Sequence, residues 1–300
     1  MSSDMKQTLS EGRSSHVMTP TAPKDDLATL VEDAERSLRF PHAALRLARL
    51  AYDPKTNAQE IAHLIERDPA LAARVLRLAN SPLFPYEGQV ADLHRAISMI
   101  GLKELTELAL AAACVSGFGP MESELLRRAD FWWHSFSCAL LAQDLARAFG
   151  QTSEEAFAAG LLHDVGQMLL FSRRSQIMVQ VLHDSLSGDV TLPDLERQRF
   201  GFDHAALGGA LLRSWKLPER LCEAVALHHR PAADLEPKPL ARIVQLANLG
   251  AGAVTLTSAG SAEALNDELC ARLGYAPPDL AAYLDANRKR ADGFCAGLGL

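Results

Sequence analysis

The chain has few cysteines and spaces them widely. Cys114, Cys138, Cys222, Cys270 and Cys295 form no CxxC pair and no dense cluster, which excludes a disulfide scaffold and a thiolate zinc site. They read as small buried apolar residues in a reducing compartment. No stretch of eighteen apolar residues occurs, and MSSDMKQTLSEGRSS at the start carries no apolar run. The sequence therefore predicts no signal peptide, no membrane span and a cytoplasmic location. Runs rich in Val, Ile and Thr with strand alternation are nearly missing, so no sheet is expected. GxGxxG and Walker-type phosphate loops are also missing. There is no excess of positive charge: Lys plus Arg is 30 against 37 for Asp plus Glu, a formal net charge of -7. An acidic surface repels phosphate, which argues against a nucleic-acid partner.

What is present is a long apolar pattern with helical period. Of the 300 residues, 48% are hydrophobic and 22% charged, a composition that excludes pervasive disorder. Residues 1–24 are polar and rich in Ser, Thr, Gly and Pro, and are expected to form a disordered tail. From Leu27 onward apolar residues recur at intervals of three and four. Asn57 with Glu60 forms a capping box, and Asp68 caps the helix opened by Pro69. Asn80-Ser81-Pro82 ends that helix. Thr152, with Glu155 three later, is expected to cap a helix running through Ala158, Leu161, Leu162 and Val165. Thr191 with Asp194 starts a short helix. The run AALGGALL from residue 205 suits close helix contact, and Pro218 opens the helix that ends at His228-His229. Two terminal helices are expected near 262–272 and 278–290.

The fold class is all-α, read as a two-lobed helical domain with an N-terminal helical lobe (25–118) and a second lobe (121–250). Residues 251–300 form a linker and a helical extension. Short basic groups, Arg127-Arg128, Arg173-Arg174 and Arg288-Lys289-Arg290, read as solvated helix faces.

Ten histidines are distributed along the chain. His163-Asp164 interrupts the apolar run AAGLLHDVGQMLL. An unpaired buried carboxylate is costly, so Asp164 requires a cation, a donor network or water. His134 follows Trp132-Trp133, His204 opens the small-residue helix, and His228-His229 closes another. Five imidazoles and one carboxylate on different helices can line one cavity, as in helix bundles that carry metals in their cores.

These motifs, with LIERDPALAARVLRLANSPLF, LHRAISMIGLKELTELALAAA and ARIVQLANLGA, resemble the HDOD domain, the output-domain relative of the HD phosphohydrolase superfamily. The likeness covers roughly residues 27–250. It implies an HD-like helical core and a metal set of His134, His163, Asp164, His204, His228 and His229, holding one or two divalent ions (Fe, Mn or Zn). Catalytic relatives, the cyclic-dinucleotide phosphodiesterases included, carry a late Asp where this chain has Asn248 and a Lys where it has Gln167. Their Gly-Tyr-Pro signature is missing too. The resemblance thus implies a regulatory output module that contacts a signalling protein, with a degenerate metal or nucleotide site and no turnover. Helical output modules also commonly self-associate. The alternative is a metal-dependent phosphohydrolase acting on a nucleotide or cyclic dinucleotide, with Asp164 bridging the ions.

Overall fold

A computed structural model describes residues 26–37, 42–50, 55–81, 84, 89–117, 127–187, 190–231, 235, 238–252 and 279–300. The expected N-terminal tail and the helix near 262–272 lie outside the described residues. Among the described residues every regular element is a helix. The N-terminal half contains α1 (Leu27–Ser37), α2 (His42–Leu50), α3 (Ala58–Glu66), α4 (Pro69–Ala79), α5 (Leu93–Ile100) and α6 (Leu102–Gly117). The second half contains α7 (Arg128–Ala148), α8 (Ser153–Leu162), α9 (Val165–Ser187), α10 (Leu192–Phe200), α11 (His204–Ser214), α12 (Glu219–Leu227) and α13 (Pro239–Gly252). A last helix, α14 (Leu280–Leu298), ends the chain. No helix among the described residues is long and apolar enough to cross a membrane.

Local chemistry sets many of the boundaries. Asn57 and Glu60 make the reciprocal capping box at α3, and the Asp68 carboxylate accepts from the Ala70 and Leu71 amides at α4. Asn80 does more than end α4. Its amide donates to Leu76 O and Val90 O and its carbonyl accepts from Val90 N, which fastens the segment before α5 to the end of α4. Thr191 caps α10 as its residue type suggests, its hydroxyl accepting from the Asp194 amide.

Thr152 corrects one expectation. It holds the N-cap position of α8, but its side chain makes no capping hydrogen bond. The helix also stops at Leu162, so Val165 begins α9 rather than continuing α8. α9 runs through Ser187 with a break at Arg174, whose φ of -136° and ψ of 38° are not helical.

α7 lies at the centre and packs against α8, α13 and α14. It is buried nearly all round, from Phe131 and Trp132 through Leu145 and Ala146, as befits a helix enclosed by others. One continuous apolar core runs through both halves and includes Ala291, Phe294, Cys295 and Leu298 of α14. That last helix is locked to α7 by polar bonds as well. Ser137 Oγ donates to Asn287 Oδ1, Asn287 Nδ2 donates to Ser137 O, and Trp133 Nε1 donates to Asp292. Four of the cysteines, Cys114, Cys138, Cys222 and Cys295, are free and buried. Cys270 lies outside the described residues.

Glycines allow helices to touch where the second half is tightest. A Cβ on Gly166 would lie 2.0 Å from His204 O and 2.7 Å from Gly208 N. A Cβ on Gly209 would lie 2.5 Å from Ala226 Cβ and 2.9 Å from Cys222 O. The first contact draws the start of α9 onto the start of α11, and the second draws α11 onto α12.

Candidate metal centre

Helix ends and helix interiors converge beside Gly166. His134 comes from within α7. His163 and Asp164 form the turn between α8 and α9, not the interior of a single helix. His204 is the first residue of α11, and His228-His229 follows α12. Asn248 lies on α13 and hydrogen-bonds His134. Gln167, in the first turn of α9, is buried. His63, His94 and His183 are exposed and take no part.

The Asp164 carboxylate is the hub. Its Oδ2 lies 3.1 Å from His163 Nε2 and 3.6 Å from His134 Nε2. Its Oδ1 lies 3.2 Å from His204 Nε2 and 3.5 Å from His228 Nε2. His134 Nε2 and His163 Nε2 are 3.2 Å apart, and His204 Nε2 and His229 Nε2 are 2.9 Å apart. The Asp164 side chain is 11% exposed. His134, His163, His204 and His228 are buried, while His229 and Asn248 are half-buried at the rim.

Helix ends orient these rings. His163 and His228 each follow the last turn of a helix, where carbonyls lack an intrahelical partner. His163 Nδ1 donates to Gly160 O at 2.7 Å, and His228 Nδ1 donates to Val225 O at 2.7 Å. His204 Nδ1 donates to Glu196 Oε2 at 2.6 Å, and the same oxygen accepts from the His204 backbone amide at 2.8 Å. With the proton on Nδ1, a neutral imidazole turns its Nε2 lone pair toward Asp164. Sequence reasoning missed Glu196. It sits in the polar helix α10, eight positions before its partner, with no motif to mark it.

The electrostatics follow from burial and from these neighbours. Burial lowers His134 to about 4, and His163 beside it works in the same direction. Burial also lowers His228, and it lowers His229 well below the ordinary imidazole range, where His228 and His204 add to the effect. Burial opposes protonation of His163, yet Asp164 raises it well above its ordinary value. Burial likewise opposes protonation of His204, but Glu196 and Asp164 lift it to about 10. Burial would raise Asp164, and His163, His204 and His228 hold it well below the usual carboxylate range instead.

The donor set fits a divalent cation. Asp164, His204, His228 and His229 form one group of ligand atoms lying within 4.8 Å of one another, and His134, His163 and Asp164 form another. Adjacent ligands of a tetrahedral ion at about 2.05 Å stand about 3.3 Å apart, close to the separations above. Asp164 Oδ1 and His228 Nε2 are buried without a hydrogen-bond partner. An orphaned carboxylate oxygen facing an orphaned imidazole nitrogen is the arrangement a cation would satisfy.

Comparison with known proteins bears on the family and the fold. The sequence profile of the HDOD domain matches residues 38–231. The chain is similar to an HDOD domain protein of unknown function from Geobacter sulfurreducens, at 26% identity and TM-score 0.74, covering 89% of this chain and 97% of that one. Its fold also matches a protein of Shewanella amazonensis SB2B provisionally assigned as a phosphohydrolase, at 24% identity and TM-score 0.72, covering 90% and 98%. A curated but uncharacterised protein of Treponema pallidum (strain Nichols) is 25% identical over 225 residues, 74% of this chain. The match spans 43% of that relative's length.

Proposed function

The chain belongs to the HDOD family, and on that premise we propose that it is a signal-transduction output module that acts by contact with a signalling protein. In this reading its histidine–aspartate centre holds divalent metal without turning over a substrate. The observation that carries it is Asn248. A neutral amide bonds to His134 where the family resemblance implies a carboxylate. Gln167 is neutral in the same way, and the Asp164 hub is enclosed on both sides by imidazoles.

When bound, a divalent ion would supply Lewis acidity and positive charge. The side chains available to hold it are His134, His163, Asp164, His204, His228 and His229. Glu196, Gly160 O and Val225 O would keep the imidazoles turned inward. A cytoplasmic location belongs to the same reading, in keeping with four buried free thiols.

The alternative, a metal-dependent phosphohydrolase acting on a nucleotide or cyclic dinucleotide, is favoured by the full set of five imidazoles around one carboxylate. Hydrolysis assays on metal-supplemented protein decide between them. The substrates are a chromogenic phosphodiester, a phosphomonoester and cyclic dinucleotides, with Asp164→Asn as control. The proposed reading expects no turnover above the control. Turnover that disappears with chelator and in Asp164→Asn would establish the alternative.

A further inference from the structure

We propose that the centre takes a single divalent ion, held by Asp164, His204, His228 and His229, and that Glu196 is the positioning residue of that half. This rests on the metal-holding reading above and narrows it.

Ligand spacing does not choose between the halves, since both groups have separations near 3.3 Å. Donor count does. The Asp164 Oδ1 side offers three imidazoles and one carboxylate, enough to complete a tetrahedral shell. The Oδ2 side offers two imidazoles and the same shared carboxylate, and its neighbour Asn248 is uncharged. The orphaned buried atoms of the cluster, Asp164 Oδ1, His228 Nε2 and Glu196 Oε1, all belong to the first side. Each side carries one imidazole pair in contact, His134 with His163 at 3.2 Å and His204 with His229 at 2.9 Å, so those contacts favour neither half.

Charge points the same way. Among the described residues, the carboxylates in contact with the cluster are Asp164 and Glu196. One divalent ion balances both, while two would leave an excess of positive charge in a buried space. Glu196 bonds to His204 through both ring and backbone, so its influence falls on the same half. Four protein ligands leave no open position on a tetrahedral ion, which suits a structural site better than a catalytic one. Zinc is the first-row ion matched to three nitrogens and one oxygen in that geometry.

The test is metal content and zinc affinity of the full chain, by elemental analysis and competition with a chromogenic chelator. The wild-type chain is expected to hold one equivalent, and His134→Ala should keep it. His229→Ala, at the half-buried rim, should lose it or bind far more weakly. Glu196→Gln keeps an acceptor for His204 and should leave the helical content of the metal-free chain unchanged. Its zinc affinity should nonetheless fall about 10–100-fold. Asn248→Asp, which restores an anion beside His134, should raise the content toward two.

Two equivalents in the wild-type chain would overturn the inference while leaving the metal-holding reading intact. So would loss of the ion in His134→Ala with retention in His229→Ala. An unchanged affinity in Glu196→Gln overturns the positioning role, and an Asn248→Asp chain that stops at one ion overturns the role given to Asn248. No metal after zinc supplementation overturns both readings.

Discussion

Replacing Gly166 with Ala tests the packing that assembles the centre. The new Cβ would meet His204 O at 2.0 Å and Gly208 N at 2.7 Å, and both are backbone atoms that no side-chain rotation can move. An ordinary carbon–oxygen contact is about 3.3 Å or more, so α9 and α11 must separate by about 1 Å. A gap of that size forfeits a quarter to a half of the dispersion attraction across the contact. Overpacking typically costs about 1–3 kcal/mol, and a clash between two backbones belongs at the upper end or beyond. We expect Gly166→Ala to lose about 3 kcal/mol in urea unfolding. Zinc affinity should fall as well, because the displaced carbonyl belongs to His204. Gly150→Ala is the control. Its φ is 64° and nothing lies within 4 Å of the added carbon, so only backbone strain of about 1–2 kcal/mol applies. A Gly166→Ala loss below about 0.5 kcal/mol, or one no larger than that of Gly150→Ala, would refute the reasoning.

Burial raises Glu107 to about 7, against the hydrogen bond from Gln143. The folded chain keeps a proton that the unfolded chain loses near pH 4.5, so this group makes stability fall as pH rises from about 4.5 to 7. Glu107→Gln should therefore change little at about pH 5 and stabilise by about 1–2 kcal/mol at about pH 8; equal effects at the two pH values would contradict this. Phe294 of α14 stacks on Phe136 with centroids 5.0 Å apart and is 5% exposed. Phe294→Ala should cost about 3 kcal/mol or more in urea unfolding, and a loss under about 1 kcal/mol would show that α14 adds little to the core. Lys216 has a φ of 56°, a region that favours glycine. Lys216→Gly should be neutral or stabilising by up to about 1 kcal/mol, and a clear loss of stability would count against strain there.

The helical class was legible because apolar period and capping chemistry are local. Asn57, Asp68 and Thr191 cap where their side chains suggested. The six motif side chains were legible as polar breaks in apolar helices. The turn at His163-Asp164 was not, because the apolar period runs on to Val165 and neither residue at the break is proline or glycine. Thr152 has the right residue type and position, yet the chain's path there leaves its hydroxyl without a capping bond. Glu196 was invisible for another reason. Its role depends on α10 folding back beside the start of α11, and nothing in LPDLERQRF records that approach. Asn248 was legible as a departure from the family pattern, but only packing of α13 on α7 places it against His134.

The most direct measurement is an anomalous difference map at the zinc edge from crystals of the zinc-loaded chain. The account predicts one peak, on the Oδ1 side of Asp164, within about 2.0–2.2 Å of ligand atoms from Asp164, His204, His228 and His229. A peak between His134 and His163, two peaks, or no peak at all would contradict it.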